Sequence, residues 1–276
     1  MTLTSLSLDP ILALMALVAD DETPRTVRVH RDGAVARITL SNPRRKNAIG
    51  DAGWTELRDA CDWVAHSGVR AVVVTGDGTD FCAGADLSQS GDRHSLANMR
   101  IVNEACLALH RLPLPAVARV DGYAVGAGMN LALACDFVVA SDRARFSQIF
   151  VRRGLSVDFG GSWILPRLVG LHRAKELVML GDIVPADELA TLGVVRDVVA
   201  PADLDATVER LVDRLVAGPP LALAQSKRLL HDSYEIGLER ALEDEARVQA
   251  VNLASEDAVE AGNAFFEKRE PRFQGR

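Results

Sequence analysis

Apolar and polar positions alternate with a period of two from Thr26 to Arg31 and again from Ala34 to Leu40, with Asp32-Gly33 between them. That pattern predicts an antiparallel hairpin. Over Asp51 to Ala65 the period lengthens, and Trp54, Leu57, Cys61 and Val64 fall on one face of a helix. Ala71 to Thr75 is a short apolar, β-branched run, which predicts a buried strand. A helix is expected from His94 to Leu112, stopped by Pro113 and Pro115. Strands are expected over Ala116–Val120 and Asp136–Ala140, with a helical run from Met129 to Ala134 between them. Further on, Gly160 to Gly170, Leu171 to Leu180 and Pro185 to Leu192 read as helices, and Val194 to Val199 as a strand. From Ala202 the pattern is helical, broken at Gly218-Pro219-Pro220 and near Gly237. Strands alternating with helices predict an α/β architecture.

Residues 1–24 stand apart as an N-terminal arm. Ile11 to Val18 is apolar but only eight residues long, too short to span a bilayer. No basic region precedes it, and Asp20, Asp21 and Glu22 follow, so neither a secretory signal nor a transit peptide is expected.

The chain has 276 residues, 48% hydrophobic and 25% charged, enough for a large core. A net charge of −7 argues against nucleic acid as a partner. Cys61, Cys82, Cys106 and Cys135 have no C-x-x-C spacing, and no zinc pattern is present. Scattered cysteines of this kind fit buried small hydrophobes and a reducing cytoplasm. The histidines have no recurrent spacing with a nucleophile, and no Gly-Lys-Ser/Thr phosphate loop occurs.

Candidate chemistry sits in two small-residue corners. The first, Phe81 to Leu87 (FCAGADL), follows the strand at 71–75 and a Gly76-Asp77-Gly78 turn. The second runs from Gly122 to Gly128 and enters the helix at Met129. The first N–H groups of a helix lack intrahelical acceptors, and glycine lets a backbone approach a ligand closely. Two such corners can aim two backbone N–H groups at one point, which is the geometry that holds a developing oxyanion. Close helix packing is the bland alternative for either corner.

FCAGADL, the run from Gly122 to Asp136 (GYAVGAGMNLALACD) and the terminal AFFEKREPRFQGR together resemble the crotonase superfamily, the enoyl-CoA hydratase/isomerase family. The resemblance covers about Thr26 to Arg276. It implies a crotonase-like ββα spiral over 25–200 carrying an acyl-CoA site, and a C-terminal helical trimerisation region over 201–276. A homotrimer or dimer of trimers follows from the family alone. Coenzyme A enters as part of the thioester substrate; no separate cofactor and no metal is implied. The oxyanion donors fall on the N–H groups of Ala85 and Ala127.

The same resemblance places other residues at the substrate. Asn42, Pro43, Asn47 and Ala48 match the family's segment near the CoA phosphates and adenine, so Arg44, Lys46 and Ala48 are expected there. Read without the family, Arg44-Arg45-Lys46 is a solvated loop. Ala83, Asp86, Leu87 and Phe150 are further candidate substrate contacts, although Asp86 also reads as a cap for the following helix. Phe266 and Lys268 match positions that reach a CoA site; helix packing and a solvated lysine are the alternatives.

The hydratases of the family use two glutamates to activate water. Asn130 and Phe150 stand at those positions here, and neither accepts a proton at neutral pH. Asp158 instead matches the aspartate of the family's isomerase branches, which also resemble this chain at NLALACD and at GGSWILPRLVG. Facing an apolar acyl tunnel, such a carboxyl would be desolvated into a useful base. The alternative for Asp158 is a helix N-cap. Asn130 is expected to orient substrate or a water. The expected activity is isomerase-type proton transfer through a thioester enolate. Hydration of a 2-enoyl-CoA and non-catalytic binding of acyl-CoA are the alternatives.

Overall fold

The computed structural model describes residues 25–88 and 94–276; the N-terminal arm lies outside the described residues. The predicted hairpin forms as β1 (Val27–Asp32) and β2 (Val35–Leu40), paired antiparallel. After helix α1 (Asp51–His66), strand β3 (Ala71–Gly76) joins β2 in parallel. Helix α2 (Ser95–His110), β4 (Ala116–Val120), β5 (Tyr123–Val125), α3 (Ala127–Leu133), β6 (Phe137–Ser141) and β7 (Arg145–Ser147) follow. The rest of the core is α4 (Gly161–Leu180), β8 (Val184–Pro185), α5 (Ala186–Thr191) and β9 (Asp197–Val199). Four helices close the chain: α6 (Leu204–Ala217), α7 (Pro220–Asp232), α8 (Leu238–Leu253) and α9 (Glu256–Glu267).

The strands form two sheets. One runs β1-β2-β3-β4-β6-β9, parallel from β2 onward; the other runs β5-β7-β8. Successive side chains on a strand point to opposite faces, and the larger sheet uses both. Val72 and Val74 of β3 enter the main core with α1 and α2, whereas Ala71 and Val73 pack with Val117, Val139 and the α6 residues Leu204, Val208 and Val212. Burial on both faces explains why β3 reads as an unbroken apolar run.

Several boundaries move from their sequence positions. α3 begins at Ala127 rather than Met129, which puts the second corner directly on its first residue. β5 and β7 pair with one another rather than joining the main sheet; at three residues each they are too short to show a period of two. β9 starts at Asp197, three residues late, because Val194 and Val195 are buried in the turn after α5. α4 spans both predicted helices with a non-helical Gly170 (φ 77°) between them. A further break separates α8 from α9, where the Ser255 side chain accepts from the Ala258 N–H.

Candidate functional site

The two corners meet. Cys82 bridges Ala124: its N–H donates to Tyr123 O (2.8 Å), and its carbonyl accepts from Val125 N–H (2.9 Å). A Cβ on Gly84 would stand 2.8 Å from Val125 O and 3.3 Å from Ala127 N, and one on Gly128 would collide with Cys82 O. Glycine at these positions is what lets the first corner lie against the start of α3.

The bridge also aims the donors. Ile49 pairs in parallel with Ala85, donating to Gly84 O (2.9 Å) and accepting from Asp86 N–H (2.8 Å). In that pattern the N–H of Ala85 itself points away from Ile49. Ala127 is the first residue of α3, whose first helical bond runs from Asn130 N to Gly126 O (3.2 Å). The Ala127 N–H therefore has no acceptor in its own helix.

The corner is closed on one side by Phe150, buried, whose ring lies against Gly126. It supplies an apolar wall. Asn130 is fully buried on α3. Its Nδ2 donates to the Asp158 carbonyl (2.8 Å), and its Oδ1 accepts from Gln148 Nε2 (2.7 Å). Both ends of the amide are thus engaged inside the chain, tying α3 to the 158 segment.

Asp158 is half-buried, and one of its carboxyl oxygens is buried without a hydrogen-bond partner among the described residues. Desolvation pushes its carboxyl up to about 6. The cap alternative for this side chain is not realised: the N-cap of α4 is Gly160, with no side-chain cap bond. Only the Asp158 main chain takes part there, its carbonyl accepting from Gly161 N–H (3.0 Å). Nearby, Phe159 is fully buried with its ring 5.4 Å from that of Trp54. Cys106 of α2 faces the same segment, its thiol pushed up to about 11 by burial and then by the Asp158 charge.

The remaining candidates divide. Ala83 donates to Lys46 O (2.9 Å), and Ala48 is buried beside it, so this loop is stitched to the first corner. Arg44 and Lys46 are exposed, and the Lys46 ammonium lies 3.8 Å from the centre of the Tyr123 ring. Leu87 is exposed. Asp86 does not cap the following helix, a correction to the sequence reading: it accepts from Ser88 N–H (3.1 Å) and Arg45 (2.9 Å), while α2 is capped by the His94 ring. Phe266 is 83% exposed and Lys268 ends α9. The tail beyond them bonds Arg70, just before β3, through Phe273 O, whereas the first corner follows the other end of that strand. Gln148 is missed by sequence reasoning; its one signal is its place two residues before Phe150.

Two crossing corners that leave the N–H groups of Ala85 and Ala127 outside the neighbouring ladder and helix bonds define a class able to polarise a carbonyl. The model of the enoyl-CoA hydratase/isomerase family matches residues 30–276, and the chain belongs to that family. It is 34% identical over 90% of its length to the 2,3-dehydroadipyl-CoA hydratase of Escherichia coli, covering 98% of that protein. It is 32% identical to the 1,2-epoxyphenylacetyl-CoA isomerase of the same organism, with 90% of this chain and 97% of that one covered. The crystal structure of an enoyl-CoA hydratase from Mycobacterium smegmatis superposes with a TM-score of 0.86 at 36% identity, covering 91% of this chain and 99% of that one. The fold is the crotonase fold, and the chain is an enzyme of acyl-CoA chemistry. Among the described residues no helix is long and apolar enough to cross a membrane.

Proposed function

We propose that this enzyme is an enoyl-CoA isomerase in which Asp158 moves a proton between carbons of the acyl chain. The thioester oxygen accepts from the N–H groups of Ala85 and Ala127. The Asp158 carboxylate takes a proton from the activated acyl chain. The C–H electron pair passes through the conjugated carbons to the thioester oxygen, giving an enolate that the two N–H groups stabilise. Asp158 then returns the proton at a different carbon, so the double bond has moved and no atom is gained or lost. The observation that carries this reading is the desolvated Asp158 carboxyl, one oxygen of which is buried without a partner, in a chain whose Asn130 and Phe150 cannot activate water. A base with a pKa near 6 is charged at neutral pH and still basic enough to accept a carbon-bound proton from an activated position.

Hydration of a 2-enoyl-CoA is the second reading, favoured by the names of the relatives, which mostly say hydratase. It needs Asp158 to act through one water. Incubation with 2-enoyl, 3-enoyl and dienoyl-CoA esters in heavy-oxygen water separates the two. Double-bond migration without label supports isomerisation; label in the product supports hydration. Return of every ester unchanged would favour a binder.

The exposed Phe265, Phe266, Leu238 and Leu242 on α8 and α9 support assembly of copies through the C-terminal helices, as a homotrimer or dimer of trimers. In such an assembly Phe266 and Lys268 serve a neighbour's site.

A further inference from the structure

We infer that Asn130 and Gln148 are positioning residues that hold Asp158 in register with the oxyanion donors. The inference rests on Asp158 being the base. α3 carries both elements of the site: Ala127, a donor, is its first residue, and Asn130 follows three residues on. Residues three apart lie on one helix face, about 4.5 Å along the axis. One helical turn therefore sets the relation between the group that holds the carbonyl oxygen and the segment that holds the base.

The tie is chemically specific. The Asp158 carbonyl can only accept, so the atom that faces it at 2.8 Å is the amide nitrogen of Asn130. Gln148 Nε2 can only donate, and it meets Asn130 Oδ1 at 2.7 Å. An amide satisfies both neighbours at once. A glutamate at 130 would turn a carboxylate oxygen toward the Asp158 carbonyl, acceptor against acceptor. Space leads to the same conclusion: a Cβ on Gly161 would overlap both polar atoms of the Asn130 amide, so Asn130 is seated against bare backbone.

The other side of the segment is held by packing. Phe159 adopts a left-handed conformation (φ 45°), which a bulky residue tolerates only when its surroundings impose it. Its ring is fully buried beside Trp54. Asp158 thus stands between an amide tether and an aromatic anchor. Among the described residues, the titratable group that faces it from the packed elements is the Cys106 thiol, which burial keeps neutral.

The tether has a consequence that plain folding support does not share. With Asn130 shortened to alanine, the segment loses its bond and water gains access to the carboxyl. The Asp158 pKa then falls toward its ordinary value, because desolvation is what raises it. Activity that needs the carboxylate extends to lower pH while turnover drops.

The test is the pH profile of kcat, with KM, for Asp158→Asn, Asn130→Ala and Gln148→Met, on the 3-enoyl-CoA ester the wild type converts. Asp158→Asn is expected to abolish turnover. Asn130→Ala is expected to lower kcat about 10- to 100-fold, as a displaced catalytic group does. Its KM stays within about 2-fold, since the two N–H groups that hold the thioester are untouched. Its acidic limb shifts to lower pH. Gln148→Met moves the same way by less, and decides the matter alone if Asn130→Ala does not fold by circular dichroism. Wild-type kcat and an unmoved acidic limb in the folded variants, with Asp158→Asn inactive, would overturn the positioning role and leave the base intact. Full turnover in Asp158→Asn would overturn the base, and the positioning role with it.

Discussion

The stretch from β4 to Phe150 and the helices from α7 onward place their apolar residues in opposite ways. Every residue of α3 is buried, and the strands beside it are nearly so. α7 and α8 bury none, yet present Leu230, Leu238, Leu242 and Val251 to the surface, and α9 adds Phe265 and Phe266. The first region completes its own core and has strict steric demands: a methyl group on Gly122 or Gly128 would meet a backbone carbonyl. The second hangs on the core through a few bonds, chiefly Lys227 to Asp136 (2.8 Å) and to Leu114 O (3.2 Å). Chemistry requiring fixed geometry suits the first, whereas the second leaves apolar surface bare in one chain.

The largest effect that sharpens this contrast is at the base. Asp158→Ala should lower kcat by about 10²- to 10⁴-fold, the range for a general base, with an unchanged circular dichroism spectrum. Next is the steric demand. Gly128→Ala should destabilise the folded chain by about 1–3 kcal/mol in urea unfolding, because the added methyl meets a backbone carbonyl. The same substitution at Gly262 on α9, where nothing lies within 4 Å, should be neutral or slightly stabilising. If both behaved alike, the contrast between the regions would be lost.

A smaller effect concerns pH. The Asp158 carboxyl titrates higher folded than unfolded, so the folded state binds the proton more tightly. Stability from this group is therefore greatest at acid pH and declines as pH rises from the ordinary carboxylate value, 3.8, through about 6. Asp158→Asn should raise Tm at pH 7 by a few degrees and leave it unchanged at pH 3. The smallest expected effect on a single chain is at the arm. Phe266→Ser should change unfolding of the isolated chain by less than about 0.5 kcal/mol, as exposed substitutions do. It should nevertheless loosen the assembly in sedimentation velocity.

Much of the main sheet could be read from the chain because its elements have a clear period or composition: β1 and β2 alternate, β3 is uniformly apolar, and α2 ends at prolines. β5, β7 and β8 could not be read. They are three residues or fewer, and their pairing is decided by the crossing of two corners rather than by local propensity. At the site, both corners and Asp158 were legible through their motifs, whereas the partnership of Asn130 with Gln148 and the Asp158 carbonyl was not. It joins positions 18 and 28 residues apart through hydrogen bonds that leave no periodic trace. Asp86 was misread because an aspartate before a helix suits a cap, but here Arg45 and Ser88 engage it first.

If Asp158 is the base, it carries a proton from one carbon of an acyl thioester to another. Mass spectrometry of a 3-enoyl-CoA ester incubated in deuterated water with wild type and with Asp158→Asn tests it most directly. The account predicts double-bond migration with deuterium on carbon and no added water in the wild type, and neither in the variant. Gain of one water by the wild type, or migration undiminished in Asp158→Asn, would contradict it.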